Sequence, residues 1–215
     1  MISEEYKLLF IHIPKNAGTA VRSHIRSNID ANITYTEWHY PLHYFYKKLD
    51  INNYFKFSFS RNPYSRLVSA FCYTYKNICD SSNYHWKNYP RSYPILSKYT
   101  KYNSIEDNFR DLVLSDDFQM VFDQDFPVHF KPQKEFLYHD KCSLDYIGQV
   151  ENLDNDFKEA LRMSNIDIDL DLLDNIKTIN CSSRGKYELF YDNDIKDIVY
   201  HQYKDDFDLL SKYER

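Results

Sequence analysis

A short apolar run, KLLFIHI at residues 7–13, ends at Pro14 and gives way to Val21, Ile25 and Ile29. An uninterrupted apolar stretch of that length reads as a buried strand of a parallel sheet, and the recurrence every fourth residue reads as a helix. The arrangement comes a second time. Residues 54–60, YFKFSFS, place Phe55, Phe57 and Phe59 on one face, which is the period of a strand. Asn62 then suits a helix N-cap and Pro63 the first helical position. Tyr64, Leu67, Val68, Phe71 and Tyr75 follow along one helical stripe. Strands that alternate with helices put the chain in the α/β class, a central sheet with helices on both faces.

The rest of the chain fits the same frame. Residues 33–37 suit a short strand, and 41–49 a helix opened by Pro41. Helices are expected over 105–123, 152–163, 169–176 and 192–213, with a strand at 144–150, LDYIGQV. Residues 79–103 are rich in Tyr, Ser, Asn and Pro without a period, and read as an irregular insertion, a candidate lid or acceptor-binding segment. A polar loop is expected over 177–187. The 215 residues are enough for a single domain, 1–215, with a sizeable core.

Charge and cysteines narrow the functional classes. A net charge of −5 supplies no global basic field for nucleic acid, so any anion site must be local. No apolar run reaches membrane-spanning length and no signal-peptide pattern precedes the first apolar segment, so the chain reads as soluble or cytoplasmic. The cysteines, Cys72, Cys79, Cys142 and Cys181, form no C-x-x-C pair, and neither zinc nor a disulfide framework is expected. Glycine occurs at Gly18, Gly148 and Gly185 alone, so each marks a candidate backbone requirement.

In LFIHIPKNAGTAV a tight loop joins a buried strand to a helix. Unpaired N–H groups and the helix dipole make such a place a ready anion site. Ala17, Gly18 and Ala20 are small enough for close approach, Thr19 offers a hydroxyl and Lys15 a full charge. The nucleotide-triphosphate loop has its lysine after the glycines and a Ser or Thr next to it. Here the lysine precedes the glycine and Asn16 follows it, which suits an anion held without a metal. In FKFSFSRNPYSRLVSAF, Arg61 stands at the carboxyl end of a strand, where α/β sheets bind ligands, and its planar fork suits a phosphate. Ser69, at about 100° per residue, points off the apolar stripe of its helix.

Together, HIPKNAGT and FSRNPYSRLVSAF resemble the two cofactor motifs of the membrane-type carbohydrate sulfotransferases and their bacterial, algal and viral relatives. HFKPQ at 129–133, LDYIGQVENLDNDF at 144–157, and the tail with Asn180, Ser182, Arg184 and Tyr187 are similar to further segments of that family, in the same order. The resemblance implies a P-loop-NTPase-like three-layer fold with a mostly parallel sheet. It implies 3′-phosphoadenosine 5′-phosphosulfate (PAPS) as donor, 3′,5′-ADP as product, no metal, and a glycan or glycoside hydroxyl as acceptor. Lys15, Asn16, Ala17, Gly18, Thr19 and Ala20 would contact the 5′-phosphosulfate, and Arg61 and Ser69 the 3′-phosphate. Asn16 departs from the threonine common in the family. Animal members usually carry an N-terminal membrane anchor, whereas six residues precede the first expected strand here.

Sulfuryl transfer is an in-line displacement in which charge builds on the bridging oxygen, so a lysine beside it stabilises the transition state. Lys15 is the choice for that role. The acceptor hydroxyl needs a base, and a histidine upstream of the arginine motif serves in the family; His39 is favoured here, then His43. His129 is a candidate for the acceptor side, and His12 reads as a core histidine. Arg184, Gly185 and Lys186 form a basic loop of the kind that other sulfotransferases close over the 3′-phosphate and adenine. Two other readings are a P-loop kinase using ATP and Mg²⁺, and a nucleotide-binding protein without catalysis.

Overall fold

The computed structural model describes residues 1–29, 33–34, 39–80, 92–120, 128–166 and 185–211. The chain divides into two compact units. The first comprises Met1–Arg61, Gln133–Ser182 and Leu209–Arg215, and the second Asn62–Pro132 and Ser183–Asp208.

The first unit is built on a four-stranded sheet in the order β1-β2-β3-β4. Strand β2 (Leu8–Ile11) pairs in parallel with β3 (Phe55–Ser60), and β3 in parallel with β4 (Tyr146–Gln149). Strand β1 (Ile2–Ser3) pairs antiparallel with β2. The sheet is mixed, as a mostly parallel ladder with a two-residue antiparallel edge strand. Ile2 also bridges Thr34, where a strand was expected over 33–37; residues 35–37 lie outside the described residues.

On one face of the sheet, Leu8, Phe10, Phe57, Phe59 and Tyr146 pack with Val21 and Ile25 of α1 (Gly18–Asn28) and Leu153, Phe157 and Leu161 of α8 (Leu153–Met163). Gly148 makes this possible: a Cβ there would stand 2.6 Å from Phe59 Cε1 and 2.9 Å from Asp156 Cβ. The alternation in β3 suggests a solvated opposite face, yet Lys56, Ser58 and Ser60 are buried too. Buried polar groups must be paired, and these are. Ser58 Oγ donates to Ile11 O at 2.7 Å and Ser60 Oγ to Gly148 O at 3.1 Å, so the serines lock β3 to both neighbours. Lys56 Nζ donates to Tyr54 O at 2.7 Å and pairs with Asp145 at 3.0 Å. Helices α2 (Leu42–Lys48) and α7 (Lys134–Leu137) also belong to this unit.

The second unit is helical. Its α3 (Pro63–Cys79) begins as expected: Asn62 caps it by accepting from Ser65 N at 3.2 Å, with Pro63 in the first turn. Leu67, Val68 and Phe71 of α3 share a core with Phe109 and Leu112 of α5 (Ile105–Val113) and Ile195 and Val199 of α9 (Asn193–Gln202). The stretch expected to be irregular over 79–103 holds the last residue of α3 and a helix, α4 (Ser92–Ser97); residues 81–91 lie outside the described residues. The single helix expected over 105–123 splits into α5 and α6 (Asp117–Met120). Ser115 sits at the break and its Oγ donates to Leu112 O at 2.7 Å, a local bond that competes with helix continuation. Helix α10 (Lys204–Ser211) follows α9. The helix expected at 169–176 lies outside the described residues.

Candidate active site

The anion loop leaves β2 with an unusual backbone. Lys15 and Ala17 have φ of 68° and 57°, and Asn16 between them is not in the left-handed region. Each non-glycine left-handed residue costs about 1–2 kcal/mol. Ala17 is the N-cap of α1 and supplies no side-chain hydrogen bond to it. The first turn also lacks acidic residues, so the helix dipole there is not offset by a local carboxylate. Thr19 is exposed, Lys15 and Ala17 are half-buried, and Gly18 and Ala20 are buried.

Asn16 points into the unit and is 1% exposed. Its N–H donates to Ile13 O at 3.3 Å. Its Nδ2 donates to Phe59 O at 2.7 Å and to Gln133 Oε1 at 2.6 Å. The side chain therefore ties the loop to the end of β3 and to Gln133.

Gly18 answers a steric requirement. A Cβ on it would lie 1.7 Å from His12 Cδ2, so the imidazole of His12 rests directly on the start of α1. His12 is buried, and its ring lies 4.4 Å from that of His39. His39 Nδ1 is 3.1 Å from His12 O. A carbonyl only accepts, so Nδ1 carries the proton of the neutral ring and Nε2 keeps its lone pair. His39 is half-buried and itself left-handed, at φ 71°. His43 lies exposed on α2. Partial desolvation by its neighbours first, then the charges of Lys47 and His139, lower its imidazole pKa from the usual histidine value.

Arg61 follows the last residue of β3. Its Nη1 donates to Lys15 O at 2.9 Å, bringing the arginine motif to the anion loop within the first unit. Its main chain is bracketed by Gln133: Arg61 N donates to Oε1 at 2.9 Å, and Nε2 donates to Arg61 O at 2.8 Å. Gln133 is fully buried. It closes HFKPQ, yet sequence reasoning assigned it nothing. The signal was its place as the closing residue of HFKPQ, the segment that resembles the family pattern.

The remaining candidates fall in the second unit. Ser69 is half-buried on α3. His129 lies in a 3₁₀ turn, Val128–Phe130, with its ring 4.9 Å from that of Tyr73. Gly185 and Lys186 are exposed just before the 3₁₀ turn Tyr187–Phe190. Arg184, Asn180 and Ser182 lie outside the described residues.

The guanidinium of Arg61 is thus bonded to the loop that leads into α1. A profile described as the sulfotransferase family matches residues 1–214. The chain belongs to the sulfotransferase family and is a transferase of sulfate groups. No curated protein and no solved structure matches it. Among the described residues, no helix is long and apolar enough to cross a membrane.

Proposed function

We propose that the chain moves the sulfuryl group of PAPS to a hydroxyl of a carbohydrate or glycoconjugate. One observation carries the reading: the loop with left-handed Lys15 and Ala17 opens α1 without a side-chain cap, and Arg61 is bonded to that loop. The loop and the N-terminus of α1 hold the 5′-phosphosulfate. Arg61 holds the 3′-phosphate while its main chain stays fixed at the end of β3. Asn16 shapes the loop, and Lys15, Ala17, Gly18, Thr19 and Ala20 face the donor. The P-loop-like arrangement belongs to the same reading and is supported by the parallel β2-β3-β4 ladder, with the loop following β2.

In the step itself the acceptor oxygen attacks sulfur as the bond from sulfur to the bridging phosphate oxygen breaks. Lys15 stabilises charge on the departing oxygen of 3′,5′-ADP. The acceptor proton passes to Nε2 of His39, the ring nitrogen opposite the Nδ1–H that donates to His12 O. Ser69, Arg184, Gly185 and Lys186 are assigned to the donor, and His129 to the acceptor, by motif resemblance alone.

The test is thermal and kinetic. 3′,5′-ADP should raise the melting temperature, and Lys15→Ala should lower kcat with PAPS by about 10²–10³-fold, the scale for losing one transition-state donor. Stabilisation by ATP with Mg²⁺ but not by 3′,5′-ADP would sink this reading in favour of a kinase.

A further inference from the structure

We propose that Gln133 is the positioning residue of the anion site: its buried amide holds Arg61 and the Lys15–Ala17 loop in one fixed relation. This rests on the donor reading above. The last ladder pair of β3 with β4 is Ser60 with Gln149. At Arg61 the strand ends, and its N–H and C=O would need new partners. The Gln133 side chain supplies both, accepting from Arg61 N at 2.9 Å and donating to Arg61 O at 2.8 Å. One amide thus stands in for the next residue of a neighbouring strand.

The same Oε1 also accepts from Asn16 Nδ2 at 2.6 Å. Asn16 is joined by its peptide bond to Lys15, whose carbonyl accepts from Arg61 Nη1 at 2.9 Å. The path closes on itself, from Gln133 to Asn16, to Lys15, to the Arg61 guanidinium, and through the Arg61 main chain back to Gln133. Such a ring fixes two things that otherwise vary separately. It holds Lys15 and Ala17 in their left-handed conformations, and it aims the guanidinium. Gln133 touches neither reacting atoms nor donor in this scheme; it acts through Arg61 and Asn16. Without its amide, three buried or half-buried groups lose a bond: Arg61 N–H, Arg61 C=O and Asn16 Nδ2.

The experiment needs no acceptor. The dissociation constant of 3′,5′-ADP is measured by calorimetry for the wild type, Gln133→Ala, Arg61→Ala and the double variant. Gln133→Met is added because it keeps the side-chain volume should the alanine variant not fold. Gln133→Ala or Gln133→Met should weaken binding about tenfold, the scale of leaving buried polar groups unpaired. In the Arg61→Ala background the same change should cost about threefold or less, because residues that share one network are not additive. An unchanged affinity in folded Gln133→Met overturns the proposal. So does an equal factor in both backgrounds, which marks a general structural loss. A wild type that does not bind 3′,5′-ADP defeats the donor reading and this proposal with it, whereas wild-type binding with unaffected variants defeats this proposal alone.

Discussion

Gly18→Ala tests whether the anion loop and the candidate base share one packed layer. The new Cβ would stand 1.7 Å from His12 Cδ2, 1.9 Å from Nε2 and 2.5 Å from Cγ, where ordinary contact begins at 3.4 Å. Restoring contact requires a displacement of about 3.4 − 1.7 = 1.7 Å, in the ring or in the loop. The ring is poorly placed to yield. It is 9% exposed, with Phe10 stacked 5.9 Å away and His39 at 4.4 Å. Forcing extra volume into a packed site costs about 1–3 kcal/mol. For a chain of this size each kcal/mol lowers the melting temperature by about 2–4 °C. A fall of about 2–12 °C is therefore expected by differential scanning calorimetry. The control is His12→Ala, which removes every one of the three clashing atoms. Gly18 opens α1 and its φ is not positive, so alanine there gains up to about 1 kcal/mol from helix propensity. In the His12→Ala background Gly18→Ala should be neutral or stabilising. The same loss in both backgrounds would refute the steric account.

The other expectations concern the base and the helical unit. His39→Ala should lower kcat by about 10²–10⁴-fold, the range for a general base, with 3′,5′-ADP affinity retained, while His43→Ala should change neither; the reverse result by steady-state kinetics and calorimetry reassigns the base. In the second unit, burial, together with Asp117, pushes the Tyr99 hydroxyl up to about 12, and this hydroxyl donates to Asp117 at 2.7 Å with Ser115 Oγ 2.8 Å away. A raised folded pKa means that its contribution is complete below the unfolded value of 10.0 and is lost as pH rises toward about 12. The melting temperature of wild type should therefore fall more steeply across that window than that of Tyr99→Phe. Parallel curves by circular dichroism would show that Tyr99 is not linked to unfolding.

What was legible in the sequence was whatever had a period or a cap. Strand β2, strand β3 and the start of α3 follow from the apolar run, the phenylalanine alternation and Asn62-Pro63. Strand β1 has two residues, too few for any period, so the antiparallel edge went unseen. Helix α4 hid behind Pro94 and its aromatic, polar surroundings. Burial of Ser58 and Ser60 was invisible because alternation marks polarity, whereas their partners are carbonyls supplied by neighbouring strands. His12 was readable as a core histidine; its contact with Gly18 and His39 was not, since it depends on how the loop folds back and on a residue 27 positions away. Asn16 and Gln133 were obscured for a similar reason. A buried amide has no pattern along the chain, and what it does is set by residues far away in sequence.

The bond between Arg61 and Gln133 has a topological consequence. The chain quits the sheet-bearing unit after Arg61 and rejoins it at Gln133, and these two residues are hydrogen-bonded to each other. From the viewpoint of the sheet, residues 62–132 are an excursion whose exit and return share one stapled gate. Closing such an excursion carries an entropy that grows only with the logarithm of its length. Insertions or deletions within 62–132 therefore leave the register of β3 against β4 nearly untouched. The helical unit is free to diverge in size and composition while the gate, and the anion loop bonded to it, stay as they are.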